Sequence, residues 1–164
     1  MSIKLAEEML GARGVSVSAI ADIVFQLQHK YHPALTQRQC EDSVRAVLGK
    51  REVQYTLFTG IALDELAERK LLPEPLQSIL ENDEPLYGVD ETMALGVTSI
   101  YGMIGLTSFG YLDKEKIGVI ETLNEKKDGI HVFLDDLVAG IAAAASSRIA
   151  HNNPEAARYT TGTD

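Results

Sequence analysis

GIHVFLDDLVAGIAAAASSRIA, residues 129–150, is the stretch on which the fold turns. Its side chains are apolar around nearly the whole helical circumference, and such a helix cannot lie on a surface. The run Ala142-Ala143-Ala144-Ala145 is small on every side and lets neighbours approach closely. The spacing predicts a helix over 130–150 that threads a bundle of other helices. Two acids, Asp135 and Asp136, interrupt it. A buried carboxylate needs hydrogen bonds, a cation or a raised pKa. An adjacent pair therefore points to a functional site, the alternative being two ordinary exposed helix positions.

Outward from this core the apolar spacing is helical throughout. Residues 3–11 read as a first helix. Ser16 is a plausible N-cap for a second, stopped near His32-Pro33, and Thr36 with Gln39 has capping-box spacing for a third that runs to Gly49. A longer helix is expected over 51–70, with Leu57, Ile61, Leu63 and Leu66 facing inward, and a short one that Pro73-Glu-Pro75 starts and that runs to about Leu80. Val89 to Phe109 reads as one helix, weakened near its glycines. A short helix over 115–124 and a turn over 126–129 lead to the core stretch. The architecture expected is an all-α, single-domain helical bundle over residues 1–151, about six main helices with one central. Residues 152–164 are expected to form a flexible tail.

The 164 residues suffice for one core without disulfides or structural metal. A net charge of −9 argues against a nucleic-acid partner, which needs phosphate-neutralising cations. The single cysteine, Cys40, fits a reducing compartment and is read as inert. From Thr92 to Leu112 no residue is charged, 21 residues in all, about the length of a ~30 Å membrane span. Four glycines and five Ser/Thr make the segment less apolar than a typical span, so a buried helix is expected. The location expected is cytoplasmic, with a peripheral place at the membrane left open. Two greasy helices exceed what a small bundle covers, so a homo-oligomer is expected.

Acids also gather where bases are missing. Between Lys70 and Lys114 there is no Lys or Arg, yet Asp90, Glu91 and Asp113 fall in that interval. With Asp135 and Asp136 they form a candidate site for a hard divalent cation, which prefers carboxylate oxygens and keeps waters. Length is the obstacle: Asp90 and Asp113 are 23 residues apart, ~34 Å in an unbroken helix. Either the glycines fold that helix back, or the two acids serve different sites. Dipole stabilisation at a helix start explains Asp90 and Glu91 equally well. His131, one turn before Asp135, is a weaker candidate, structural or ligating.

The segment from Gly129 through Asp135-Asp136 to Gly140 resembles the glycine-to-DDxxAG signature of the phosphatidylglycerophosphatase A family. Gly88-Val-Asp90-Glu91 is similar to that family's second acidic element, and Phe109-Gly-Tyr-Leu-Asp113-Lys-Glu-Lys116 to its third. Gly110 stands where the family has Arg, and Ile117 and Val119 where it has Pro. The resemblance implies a Mg²⁺-dependent phosphatase, with Mn²⁺ as a substitute, acting on a phosphate ester that the membrane surface could present. It further implies a six-helix bundle with a central helix, as in the soluble branch of that family. Asp90, Glu91, Asp113, Asp135 and Asp136 would hold the metal. Asp135, Asp136 and Lys116 would carry the chemistry. A non-catalytic metal- or ligand-binding helical oligomer of the same fold is the alternative.

Overall fold

The computed structural model describes residues 2–125 and 128–152, and among them there are nine α-helices and no strand. They are α1 (Ile3–Ala12), α2 (Val17–Gln28), α3 (Gln37–Leu48), α4 (Arg51–Glu68), α5 (Leu76–Glu81), α6 (Val89–Thr98), α7 (Met103–Glu115), α8 (Val119–Glu125) and α9 (Leu134–His151). The expected tail lies outside the described residues except for Asn152, and so does half of the expected 126–129 turn.

Local chemistry sets several of the boundaries. Ser2 and Ser16 cap α1 and α2, accepting from Leu5 and Ala19 N–H. Thr36 and Gln39 form the full capping box that opens α3. The inward stripe of α4 is Val53, Leu57, Gly60, Ile61, Asp64 and Ala67. That corrects the sequence reading at two places. Leu66 faces solvent, and Asp64 occupies an inward position one turn beyond Ile61.

The centre is α9, buried at every residue from Leu134 to Ser147. Helices α2, α3, α4, α6, α7 and α8 all pack against it. Its start differs from the sequence reading: residues 132 and 133 form a turn and the helix begins at Leu134. Small residues do what the alanine run suggested. At Gly140 an added Cβ would stand 3.1 Å from the carbonyl oxygen of Ala94, so α6 presses directly on α9 there.

The single helix expected over 89–109 is a hairpin instead. A 3₁₀ turn, Ser99–Tyr101, ends α6, and Gly102 (φ 76°, ψ −160°) takes a backbone conformation closed to other residues. Then α7 returns alongside α6, both lying on α9. The return is tight, because a Cβ at Gly105 would be 2.7 Å from the Thr98 carbonyl oxygen. The hairpin is not enclosed: Leu95, Ile100, Met103, Ile104 and Tyr111 are exposed. Asp113 lies inside α7 rather than past its end, and α7 runs on to Glu115. Lys116 (φ 47°) and Gly118 (φ 62°) then turn the chain, so the helix expected from Glu115 starts at Val119. Among the described residues no single helix is long and apolar enough to cross a membrane.

Candidate metal and phosphate site

The hairpin removes the length obstacle. Folding back at Gly102 returns the end of α7 to the start of α6, and both meet the first turn of α9. Asp90, Asp113, Asp135 and Asp136 thereby share one end of the bundle, and all three sequence elements nominated for the site converge.

Asp136, 3% exposed, stands in the middle. One carboxylate oxygen each from Asp90, Glu91 and Asp136 lie within 4.8 Å of one another. On the other side Lys116 Nζ donates to Asp135 Oδ2 (3.0 Å), Asp113 Oδ1 (3.1 Å) and Asp136 Oδ1 (3.4 Å). Asp135 Oδ1 accepts the N–H of Asp136 at 2.8 Å. The acids thus divide into two sets. Asp90, Glu91 and Asp136 form a group without a cation among them, while Asp113 and Asp135 belong to the ammonium of Lys116. Asp136 belongs to both sets.

The energetics follow from burial. Burial pushes the Asp136 carboxyl well above the usual range, and the neighbouring Asp135 charge raises it further against the pull of Lys116. Burial raises Asp90 likewise, aided by the Glu91 carboxyl beside it. Burial also lifts Asp135, which Lys116 opposes. For Lys116 itself burial alone would lower the pKa, but Asp135 and Asp136 outweigh it and hold the ammonium charged. Glu91 Oε2 is shielded from solvent and no donor reaches it. An oxygen-only group holding such an orphaned acceptor fits a hard divalent cation.

Three residues outside the nominated set border this end of the bundle. Asp64, fully buried on α4, accepts the N–H of Phe133 (3.1 Å) and Leu134 (3.0 Å). Burial raises its carboxyl to about 7, against those two hydrogen bonds. Glu68 accepts from Ile130 N–H (2.9 Å) and binds Arg13 through both oxygens. Arg13 also donates to Ile130 O (2.8 Å) and to His131 Nδ1 (3.1 Å), which ties His131 into this network. The available signal was an acid on the inward stripe of α4, at helical spacing from Leu57 and Ile61. Cys40 is buried and its thiol raised by burial to about 11, far from a reactive thiolate.

Beside Asp135 lies a small polar cavity of about 150 Å³ that Asp83, Asn124 and His131 also line. A wider groove, about 860 Å³, runs between Tyr31 of the α2 end and Tyr111 of α7, and none of the six nominated residues lines it.

Residues 8–151 match the family model described as Phosphatidylglycerophosphatase A. The Bacillus subtilis (strain 168) protein YpjQ is 56% identical over 153 residues, 93% of this chain and 86% of that one. The YpjQ crystal structure superposes with a TM-score of 0.87, covering 91% of this chain and 92% of its own. The low temperature requirement C protein from Listeria monocytogenes does so at 0.87 and 50% identity, covering 91% and 94%.

Proposed function

The chain belongs to the phosphatidylglycerophosphatase A family, and from that premise we propose a Mg²⁺-dependent phosphatase that hydrolyses a phosphate monoester, phosphatidylglycerophosphate or a related ester. The observation that carries the reading is the position of Asp136, shared between the Asp90–Glu91 group and the Lys116 ammonium.

Asp90, Glu91 and Asp136 would hold the cation, Mg²⁺ or Mn²⁺, with Asp113 and Asp135 flanking it. Bound there, it would polarise a phosphoryl oxygen and lower the pKa of a water. Lys116 Nζ, held by Asp113 and Asp135, neutralises charge on the phosphoryl group. One carboxylate of the Asp135–Asp136 pair takes the proton of the attacking water. The water oxygen bonds to phosphorus, the phosphorus–alkoxide bond breaks, and the alcohol leaves with a proton.

Gly110 supports the second reading, a non-catalytic metal-binding module. It is exposed, with nothing within 4 Å of where a Cβ would stand, and contributes no cation at the site. Phosphate release from phosphatidylglycerophosphate and from a panel of soluble esters, with Mg²⁺ and with EDTA, tests the choice. Mg²⁺-dependent release from any of them is expected. Tight metal binding with no release from any would leave the second reading.

Self-association belongs to the same proposal, as does a cytoplasmic, membrane-peripheral location. The exposed, uncharged face of α6 and α7 supports self-association, because copies carrying a net charge of −9 repel elsewhere. Light scattering should give a mass of at least twice 17.9 kDa. A species of that monomer mass alone would remove the oligomer from the proposal.

A further inference from the structure

We propose that Asp64, with Glu68 and Arg13, is a positioning clamp that sets where the Asp135 and Asp136 carboxylates stand. The role rests on the metal-site reading above.

The argument begins with what α9 lacks. A helix start leaves backbone N–H groups without partners, and Ser, Thr, Asp or Asn usually satisfies one of them locally. Here the residues before the acids are Ile130-His-Val-Phe-Leu134, and the N-cap position, Phe133, offers no side-chain acceptor. The cap comes from 69 residues away: Asp64 takes Phe133 N–H on one oxygen and Leu134 N–H on the other. One turn along α4, Glu68 takes Ile130 N–H, while Arg13 takes the Ile130 carbonyl. Asp64 and Glu68 are i and i+4 and so lie on one face. The five residues before Asp135 are therefore pinned to α4 at three N–H groups and to Arg13, at the end of α1, through one carbonyl.

A fully buried carboxylate is a costly cap, since burial disfavours its charge. Two acceptors and no donor are what the paired N–H groups require, and an amide would turn its own N–H toward one of them. The next residues along the chain are Asp135 and Asp136, whose direction is fixed by where this first turn begins. Outer groups that orient metal ligands typically change metal affinity 10–100-fold when altered. The hydrogen bonds of Asp64 go to the backbone, and its charge in addition repels that of Asp135.

The test compares Asp64→Asn with Ser43→Ala in the full-length protein. Ser43 Oγ donates to the Ala145 carbonyl, so its loss perturbs the same helix at its far end. Mn²⁺ affinity is measured by calorimetry. Side-chain carboxyl carbon-13 shifts of Asp135 and Asp136 are recorded in EDTA at one pH. Asp64→Asn should weaken Mn²⁺ binding about 10–100-fold and move both carboxyl signals, with helix content retained. Ser43→Ala should leave both readouts unchanged. Unmoved carboxyl signals in Asp64→Asn, or equal effects of the two variants, would overturn the clamp. If the wild type takes up no Mn²⁺ and Asp64→Asn still moves the signals, the metal reading falls and the clamp stands. Should Asp64→Asn not fold, Arg13→Lys replaces it under the same criteria, because an ammonium cannot span Glu68, Ile130 and His131 together.

Discussion

Asp136→Asn is expected to lower phosphate-ester turnover by about 10²–10⁴-fold, the span that positioned acid–base groups contribute, while leaving the metal-free fold at least as stable. Both halves come from one position. Asp136 faces Asp90, Glu91 and Asp135, and without a metal ion burial and their repulsion outweigh its one long contact with Lys116, 3.4 Å. An amide of the same shape relieves that repulsion, the trade of stability for activity common at active sites. Asp135→Asn should lose activity as well but behave differently in EDTA. Its carboxylate holds Lys116 at 3.0 Å, so its removal strips the ammonium of a buried partner and should destabilise. Urea melts of both variants in EDTA, beside their rates in Mg²⁺, check the pair. If Asp136→Asn cost ~3–5 kcal/mol, as breaking a buried charge pair does, and kept its metal-dependent rate, the carboxylates would be a core polar network and not an active site.

Millimolar Mg²⁺ is expected to stabilise the wild type, by ~2.7 kcal/mol at a hundredfold excess over Kd, and not to stabilise Asp136→Asn. The effect should grow with pH. Asp64, Asp90 and Asp136 all have native pKa values raised above their unfolded values, with Asp64 at about 7. Between about pH 4, where these carboxyls titrate in the unfolded chain, and their raised native values, the native state holds more protons. Stability of the metal-free protein therefore falls as pH rises through that window. Cation binding requires the ligands deprotonated and so strengthens over the same window. Thermal melts from pH 5 to 8, in EDTA and in Mg²⁺, should diverge. Parallel curves, or an equal Mg²⁺ shift in Asp136→Asn, would take Asp136 out of the metal site.

How much of the site was legible follows from where its signals sit along the chain. Asp135 and Asp136 were visible because charge inside an all-apolar helix is anomalous on its face. Asp90, Glu91 and Asp113 were visible as acids in an interval without bases. Lys116 came from the family resemblance alone. Its backbone turn and its three carboxylate partners depend on residues up to 20 positions away. Asp64 was passed over because one acid in an amphipathic helix is unremarkable until the stripe it occupies is known to be inward.

Periodicity and composition alone determined the all-helical class, the central helix over most of its length, and the capped starts of α2 and α3. These depend on contacts within a few residues, where local propensity and the buried face are written in consecutive positions. The tertiary structure decided the rest. Gly102 and Gly105 were candidates for a kink, but whether the uncharged segment ran straight or doubled back depended on α9 being there to pack against. The same dependence holds for α9, whose first-turn N–H groups find their acceptor on α4. A carboxylate distant in sequence can serve as a helix cap, or a site as a convergence of acids, only once packing has brought the elements together, and no local pattern encodes that distance.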